Sequence, residues 1–390
     1  MTMTKRSGGI LRGAAAVLMS VVLGIESAAA ADPVRIGVLS STTGPFSDLG
    51  TRMNEGIRLY LKLHGDTVAG RKLELIFRDD TGPFPDVARR LVQELITRDK
   101  VELLTGFVGT PVALATIPLS TEAKKPTVLI QAATSGLTEK SPYVARVSFT
   151  VGRMAATIGN WAAKNGIGRV YTLVSDYAPG FDAEASFIRN FTEGGGKVIG
   201  SVRMPLTNVD YAVYLQRAKN EKPDAVFGFV PAGRAGIAFM KAFDDLALAK
   251  AGIRLVTTGD IVTDAALESI GDPALGVISA FHYSTAHESA ENAAFLKAFR
   301  EAYGDAQVDF MTLQGYDAMA AITAALARTG GDTDPDRIMA ALSGLKLASA
   351  RGPITINPQT RDLDQTVYFR RVEKRNGRLV NIEFDRIDPK

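Results

Sequence analysis

VRIGVLSSTTGPFSDLG, residues 34–50, decides the fold. Its opening, residues 34–39, is a short apolar run rich in Val, Ile and Leu. That is the composition of a strand buried on both faces, as in a parallel sheet. Residues 40–47 are polar and contain Gly44-Pro45, which marks a loop. Residues 52–63 then carry helical periodicity. Strand, loop and helix together make the unit of an α/β protein, and the chain goes on repeating it. Strands are predicted at 73–77, 101–107 and 127–130, with helices at 87–96 and 112–123.

The pattern then restarts. Strands are predicted at 169–174, 197–202, 225–230, 253–257 and 277–281, with helices at 182–191, 211–220 and 235–248. Two segments match in element order. A helix, Arg98-Asp99-Lys100 and a strand ending Gly106-Phe107-Val108 parallel a helix, Lys222-Pro223-Asp224 and a strand ending Gly228-Phe229-Val230. This implies two similar lobes in tandem. The last third differs. Helices are predicted at 290–303 and 317–328, and Asp334-Pro335 opens a third. Antiparallel strands follow at 354–356, 366–372 and 379–384, with Asn376-Gly377 as a hairpin turn.

The length of 390 residues suits two domains, and 46% hydrophobic with 22% charged residues is ordinary for a chain with a real core. Residues 1–31 read as a cleavable signal peptide. Lys5, Arg6 and Arg12 form its basic start, 14–23 its apolar run, and Ala28 to Ala31 its small-residue cleavage site. The apolar run falls short of the roughly 20 residues that span a membrane. Removing 1–31 leaves 42 basic and 41 acidic residues, so no nucleic-acid or anionic-membrane partner is implied. There is no Cys, which excludes disulfides, thiol chemistry and a lipid-modified N-terminal Cys. The expected location is the periplasm.

Catalytic motifs are missing. The sequence has no H-E-x-x-H, no G-x-S-x-G and no G-x-x-x-x-G-K-[ST]. His64, His282 and His287 are its three histidines and lack metal-ligand spacing. Gly194-Gly195-Gly196 lies between a helix and a strand and reads as a helix-ending turn. No enzyme activity, cofactor or metal is expected. What remains is a set of loops at the carboxyl ends of parallel strands, where open α/β sheets bind ligands. In the first lobe these are 41–49, 106–111 and 131–136; in the second, 175–181, 229–233 and 257–262. Gly109, Thr110, Ala133 and Thr134 offer N–H groups and hydroxyls near helix starts, which suits a carboxylate. Tyr177, Phe181 and Phe229 can cover an apolar ligand body. Asp176 or Asp260 can hold a ligand ammonium.

VRIGVLSSTTGPFSDLG, GRKLELIFRDDTG (70–82) and LLTGFVGTPVALATIPLSTEAKKPTVL (103–129) resemble the type I periplasmic binding proteins of the branched-chain amino-acid receptor family. The resemblance covers essentially the whole chain after residue 31. It implies two Rossmann-like, doubly wound lobes joined by three hinge crossings: after about Thr150, near Tyr283 and near Arg351. The lobes are then 32–150 with about 284–350, and 151–283 with about 351–390. The resemblance also implies a monomer that captures a small carboxylate and delivers it to an inner-membrane ABC permease. Its carboxylate loops fall on Gly109 and Thr110 and on Ala133 and Thr134. Its second-lobe aromatic falls on Tyr177 or Phe181, and its ammonium-binding acid on Asp260. Phe46 and Leu49 of the first loop complete the expected set. Leu49 stands where leucine receptors carry an aromatic, and Asp260 is one carbon shorter than the usual Glu. The blocks SAFHYSTAHESAEN (279–292) and RGPITINPQTRDLDQTVYF (351–369) resemble a subgroup linked to aromatic and other organic acids. A ligand sensor feeding a signalling receptor is the alternative use of the same fold.

Overall fold

A computed structural model describes residues 32–389. The expected signal peptide, 1–31, lies outside the described residues. β1 (Val34–Ser40) buries six of its seven residues, as an apolar run covered on both faces should. It is followed by α1 (Ser47–His64), β2 (Thr67–Val68), β3 (Arg71–Asp79), α2 (Pro85–Thr97), β4 (Leu103–Gly106), α3 (Thr110–Glu122), β5 (Thr127–Leu129) and β6 (Val144–Arg146). These strands form one sheet in the order β2-β3-β1-β4-β5-β6, parallel apart from β2.

The second unit runs through α4 (Val151–Lys164), β7 (Arg169–Ser175), α5 (Ala178–Glu193), β8 (Lys197–Met204), α6 (Tyr211–Asn220), β9 (Ala225–Phe229), α7 (Arg234–Asp245), β10 (Arg254–Thr257), α8 (Leu267–Ile270) and β11 (Ile278–Phe281). The chain then adds α9 (Ala290–Tyr303), α10 (Phe310–Arg328) and α11 (Pro335–Leu342), of which α9 and α10 pack on α1. β12 (Lys346–Ser349), β13 (Gly352–Ile356) and β14 (Leu363–Asp364) form a small antiparallel sheet. β15 (Val367–Arg375) and β16 (Arg378–Ile387) close the second large sheet, ordered β16-β15-β11-β10-β9-β7-β8. Asn376 and Gly377 join these two strands with positive φ at both positions, as a two-residue hairpin turn requires.

The fold is therefore α/β with two doubly wound lobes. The order β3-β1-β4-β5-β6 is repeated by β8-β7-β9-β10-β11. In each sheet the winding reverses beside the first strand, which opens a crevice at the carboxyl ends. The repeat extends to detail. A Cβ on Gly50 of α1 would lie 1.9 Å from the Ser41 carbonyl oxygen, and one on Gly180 of α5 1.8 Å from that of Ser175. Both helices approach the end of the preceding strand too closely for any side chain.

Several helices begin earlier than their periodicity suggests: α1 at Ser47, α5 at Ala178 and α10 at Phe310. For α10 the reason is Asp309, whose Oδ1 accepts the Met311 N–H at 2.9 Å and caps the helix. The short strands β6 and β12 carry too few residues to show a period. Hydrogen bonds also tie Arg361 to the first sheet. The Arg146 N–H donates to the Arg361 carbonyl at 3.0 Å, and Arg361 Nε to the Val144 carbonyl at 3.0 Å. These bonds fasten the β13–β14 segment to the edge strand of the first sheet. We propose a lobe boundary near residue 365 instead of the one expected near Arg351. Arg351, fully buried, ties three distant segments together. It donates to Asp317 Oδ2 at 2.6 Å, to the Val147 carbonyl at 2.8 Å and to Gln365 Oε1 at 3.1 Å.

Candidate functional site

The loops after β1, β4, β5 and β6 of the first sheet meet those after β7, β9 and β10 of the second around one cavity. Eight of the ten expected residues line it: Phe46, Leu49, Gly109, Thr110, Ala133, Tyr177, Phe229 and Asp260. Val108, Gln131, Phe149, Val151, Pro179, Pro231 and Ala232 complete the lining. Of these, Phe149 and Gln131 carry the most chemistry, and neither was singled out from the sequence.

The first-lobe wall is built on the start of α3. Gly109 is the N-cap and Pro111 follows in the first turn, so the helix presents Thr110 and its unpaired N–H groups to the cavity. A Cβ at Gly109 would lie 3.4 Å from the Phe46 ring, so the N-cap backbone sits within contact range of that ring. Thr134 stands just behind the lining. Its hydroxyl donates to Thr110 Oγ1 at 3.1 Å, which leaves the Thr110 proton free to point elsewhere. Arg146 supports the loop from below. Its fully buried guanidinium donates to the carbonyls of Ala132 and Thr134, both at 2.8 Å, and to Asp362 Oδ1 at 2.7 Å.

The second-lobe wall is aromatic with one acid. Tyr177 and Phe229 lie nearly parallel, with centroids 6.2 Å apart at 16°. Phe149, between β6 and α4, stacks on buried His282 at 4.7 Å. Burial, then the charges of Arg351 and Arg370, push the His282 pKa well down, so this ring is a neutral packing element. Asp260 is 4% exposed and accepts the Thr258 hydroxyl at 2.7 Å. Burial pushes its pKa up to about 7, against the opposing pull of the Thr258 hydrogen bond and the Arg370 charge.

Phe181 does not belong to this cavity. α5 starts at Ala178, and Phe181 lies about 200° around the helix from Pro179, so the two face opposite ways. Its ring is 39% exposed and sits under the Arg203 guanidinium at 4.3 Å. Asp176 is exposed and outside the lining. Among the described residues no group of three or more His, Cys, Asp or Glu side chains is placed to hold a metal ion.

The lobes touch across the cleft. The Ser135 N–H donates to Asp182 Oδ2 at 2.7 Å, and Arg234 Nε lies 3.5 Å from Asp48 Oδ2. The cavity between them is about 30 Å³. A benzene ring occupies a cavity on the order of 150 Å³, so a ring-sized ligand requires the lobes to part.

The periplasmic binding protein family profile matches residues 33–378. The chain belongs to this family. Leu/Ile/Val-binding protein homolog 6 of Brucella melitensis is 38% identical over 349 residues, 89% of this chain and 90% of its own length. An ABC-transporter solute-binding protein of Rhodopseudomonas palustris BisB5, solved in complex with 3,4-dihydroxybenzoic acid, is 48% identical. Its TM-score is 0.89, over 92% of this chain and 98% of that one. A second R. palustris solute-binding protein, solved with 4-hydroxybenzoate, is 40% identical with the same TM-score and the same coverage. Family and subgroup thus agree with the resemblance in residues 34–129, 279–292 and 351–369. The family is one of ABC-transporter solute receptors. Among the described residues no helix is long and apolar enough to cross a membrane.

Proposed function

We propose that this chain is the periplasmic receptor of an ABC importer for an aromatic carboxylate bearing a ring hydroxyl, which it delivers to an inner-membrane permease. The observation that carries the reading is the polarity of the cavity. Hydrogen-bond donors at the α3 start face, across a box of Phe46, Phe149, Tyr177 and Phe229, a single buried acid, Asp260. A ligand carboxylate fits the first wall, where N–H dipoles and the Thr110 hydroxyl oppose its charge without a buried cation. A flat ring fits the aromatic box. A phenolic O–H fits Asp260 as a donor. The solute-binding proteins solved with 3,4-dihydroxybenzoic acid and 4-hydroxybenzoate support the same class.

A second reading has an observation of its own. An acid facing the cavity also suits the ammonium of an amino acid, and the Brucella relatives carry Leu/Ile/Val-binding names. Thermal-shift and calorimetric titration with 4-hydroxybenzoate, benzoate, leucine and valine tests the choice. The expected result is a rise in Tm with hydroxybenzoate, since a ligand bound to the native state stabilises it. Stabilisation by leucine and none by any aromatic acid overturns the reading. Loss of uptake when the gene is deleted separates import from signalling.

A further inference from the structure

We propose that Gln131 is a selectivity residue of this cavity: its side-chain carbonyl accepts a hydrogen bond from a second ring hydroxyl, so that a dihydroxylated aromatic acid is held better than a monohydroxylated one. The inference rests on the reading of the site as an aromatic-acid receptor.

Backbone pairing fixes where Gln131 points. The Ile130 N–H donates to the Gly106 carbonyl at 2.8 Å and the Ala132 N–H to that of Phe107 at 3.0 Å, which extends β5 past Leu129. The flanking Ile130 and Ala132 are buried in apolar clusters. Gln131 lines the cavity instead, and is 8% exposed.

Its Oε1 is buried and, among the described residues, has no hydrogen-bond partner. Thr110 and Asp260 of the same cavity are held by neighbours, Thr134 and Thr258. A buried amide oxygen left unpaired is unfavourable, and Leu or Met would fill the same volume without that cost. The position therefore makes sense when something in the cavity donates to it. At neutral pH an aromatic acid presents donors through its ring hydroxyls alone. One of these meets Asp260 in the second lobe. Gln131 belongs to the first-lobe wall, where the carboxylate, an acceptor only, cannot serve Oε1, so its partner is a second hydroxyl on the ring edge turned toward that wall.

The test measures affinities of 4-hydroxybenzoate and 3,4-dihydroxybenzoate by calorimetry for the wild type, Gln131→Met and Gln131→Leu. The readout is the ratio of the two affinities within each protein, which partial loss of folded material does not move. Two variants guard against one failing to fold. The wild type is expected to prefer the dihydroxylated acid by about tenfold, the value of one net hydrogen bond in a buried site, and both variants to bring the ratio near one. A wild type with no preference, or variants that keep it, overturns the role of Gln131. A wild type that binds no hydroxylated benzoate overturns instead the reading of the site beneath it.

Discussion

Replacing Asp260 with Asn removes one buried charge and little volume, and it tests both the electrostatics and the ligand class. The Asp260 pKa is pushed up to about 7 by burial, from an ordinary value of 3.8. An acid whose folded-state pKa exceeds its unfolded one keeps its proton longer in the native state. Its contribution to stability is then greatest below about pH 4, falls as pH rises toward 7, and is level beyond. A displacement of roughly three pKa units corresponds to about 4 kcal/mol at pH 8. Asn carries no such burden. Asp260→Asn is therefore expected to match the wild type near pH 4 and to exceed it at pH 8 by up to about 4 kcal/mol. For a chain of this length that is roughly 5 °C in Tm. Scanning calorimetry of both ligand-free proteins at pH 4.5, 6, 7 and 8 reads the difference, and groups common to both cancel. A gain that does not depend on pH, or a loss at pH 8, refutes the argument. The same variant divides the two ligand readings. A phenol still finds an acceptor in the Asn carbonyl, so hydroxybenzoate affinity is expected to change by tenfold or less. An ammonium loses its counter-charge in a buried site, so an amino acid is expected to lose at least about a hundredfold.

Three further outcomes follow from the geometry. Phe181→Ala is expected to leave ligand affinity within about twofold, whereas Phe229→Ala lowers it about tenfold or more, because only Phe229 faces the cavity; calorimetric titration compares them. Asp182→Ala removes a charge-assisted bond that joins the lobes through the Ser135 N–H. It is expected to weaken ligand binding by about tenfold and to enlarge the ligand-free radius of gyration in X-ray scattering, by shifting the population toward the open form. Arg146→Met strands the carbonyls of Ala132 and Thr134 together with Asp362. The expected loss is about 3 kcal/mol in urea unfolding, accompanied by weaker ligand binding, since the loop that presents Ala133 loses its support.

What the sequence revealed and what it hid divide along a physical line. The parallel strands are mostly apolar runs of three to nine residues, so their carboxyl-terminal loops, and with them most of the cavity, can be located by counting. The two-fold repetition is equally visible, because Lys100 and Lys222 hold the same left-handed turn between helix and strand in each lobe. Phe181 falls outside the cavity lining because the start of α5 rests on Pro179 and the close approach of Gly180 to Ser175, a contact made through space. Had the helix begun four residues later, near Asp182, Phe181 would lie in the loop with Tyr177. The boundary we propose near residue 365 is hidden from the sequence for a related reason. β13 has the alternation of any antiparallel strand, and what supports placing β13 and β14 with the first lobe is Arg361 reaching the Val144 carbonyl more than two hundred residues away. Gln131 is the sharpest case. A glutamine after a buried strand reads as an ordinary loop residue. Only burial together with an unpaired oxygen turns it into a statement about the ligand. Strand ends tell where a receptor of this kind binds. The pairing state of its buried polar atoms, on which our proposal for Gln131 rests, is set by neighbours distant in the chain.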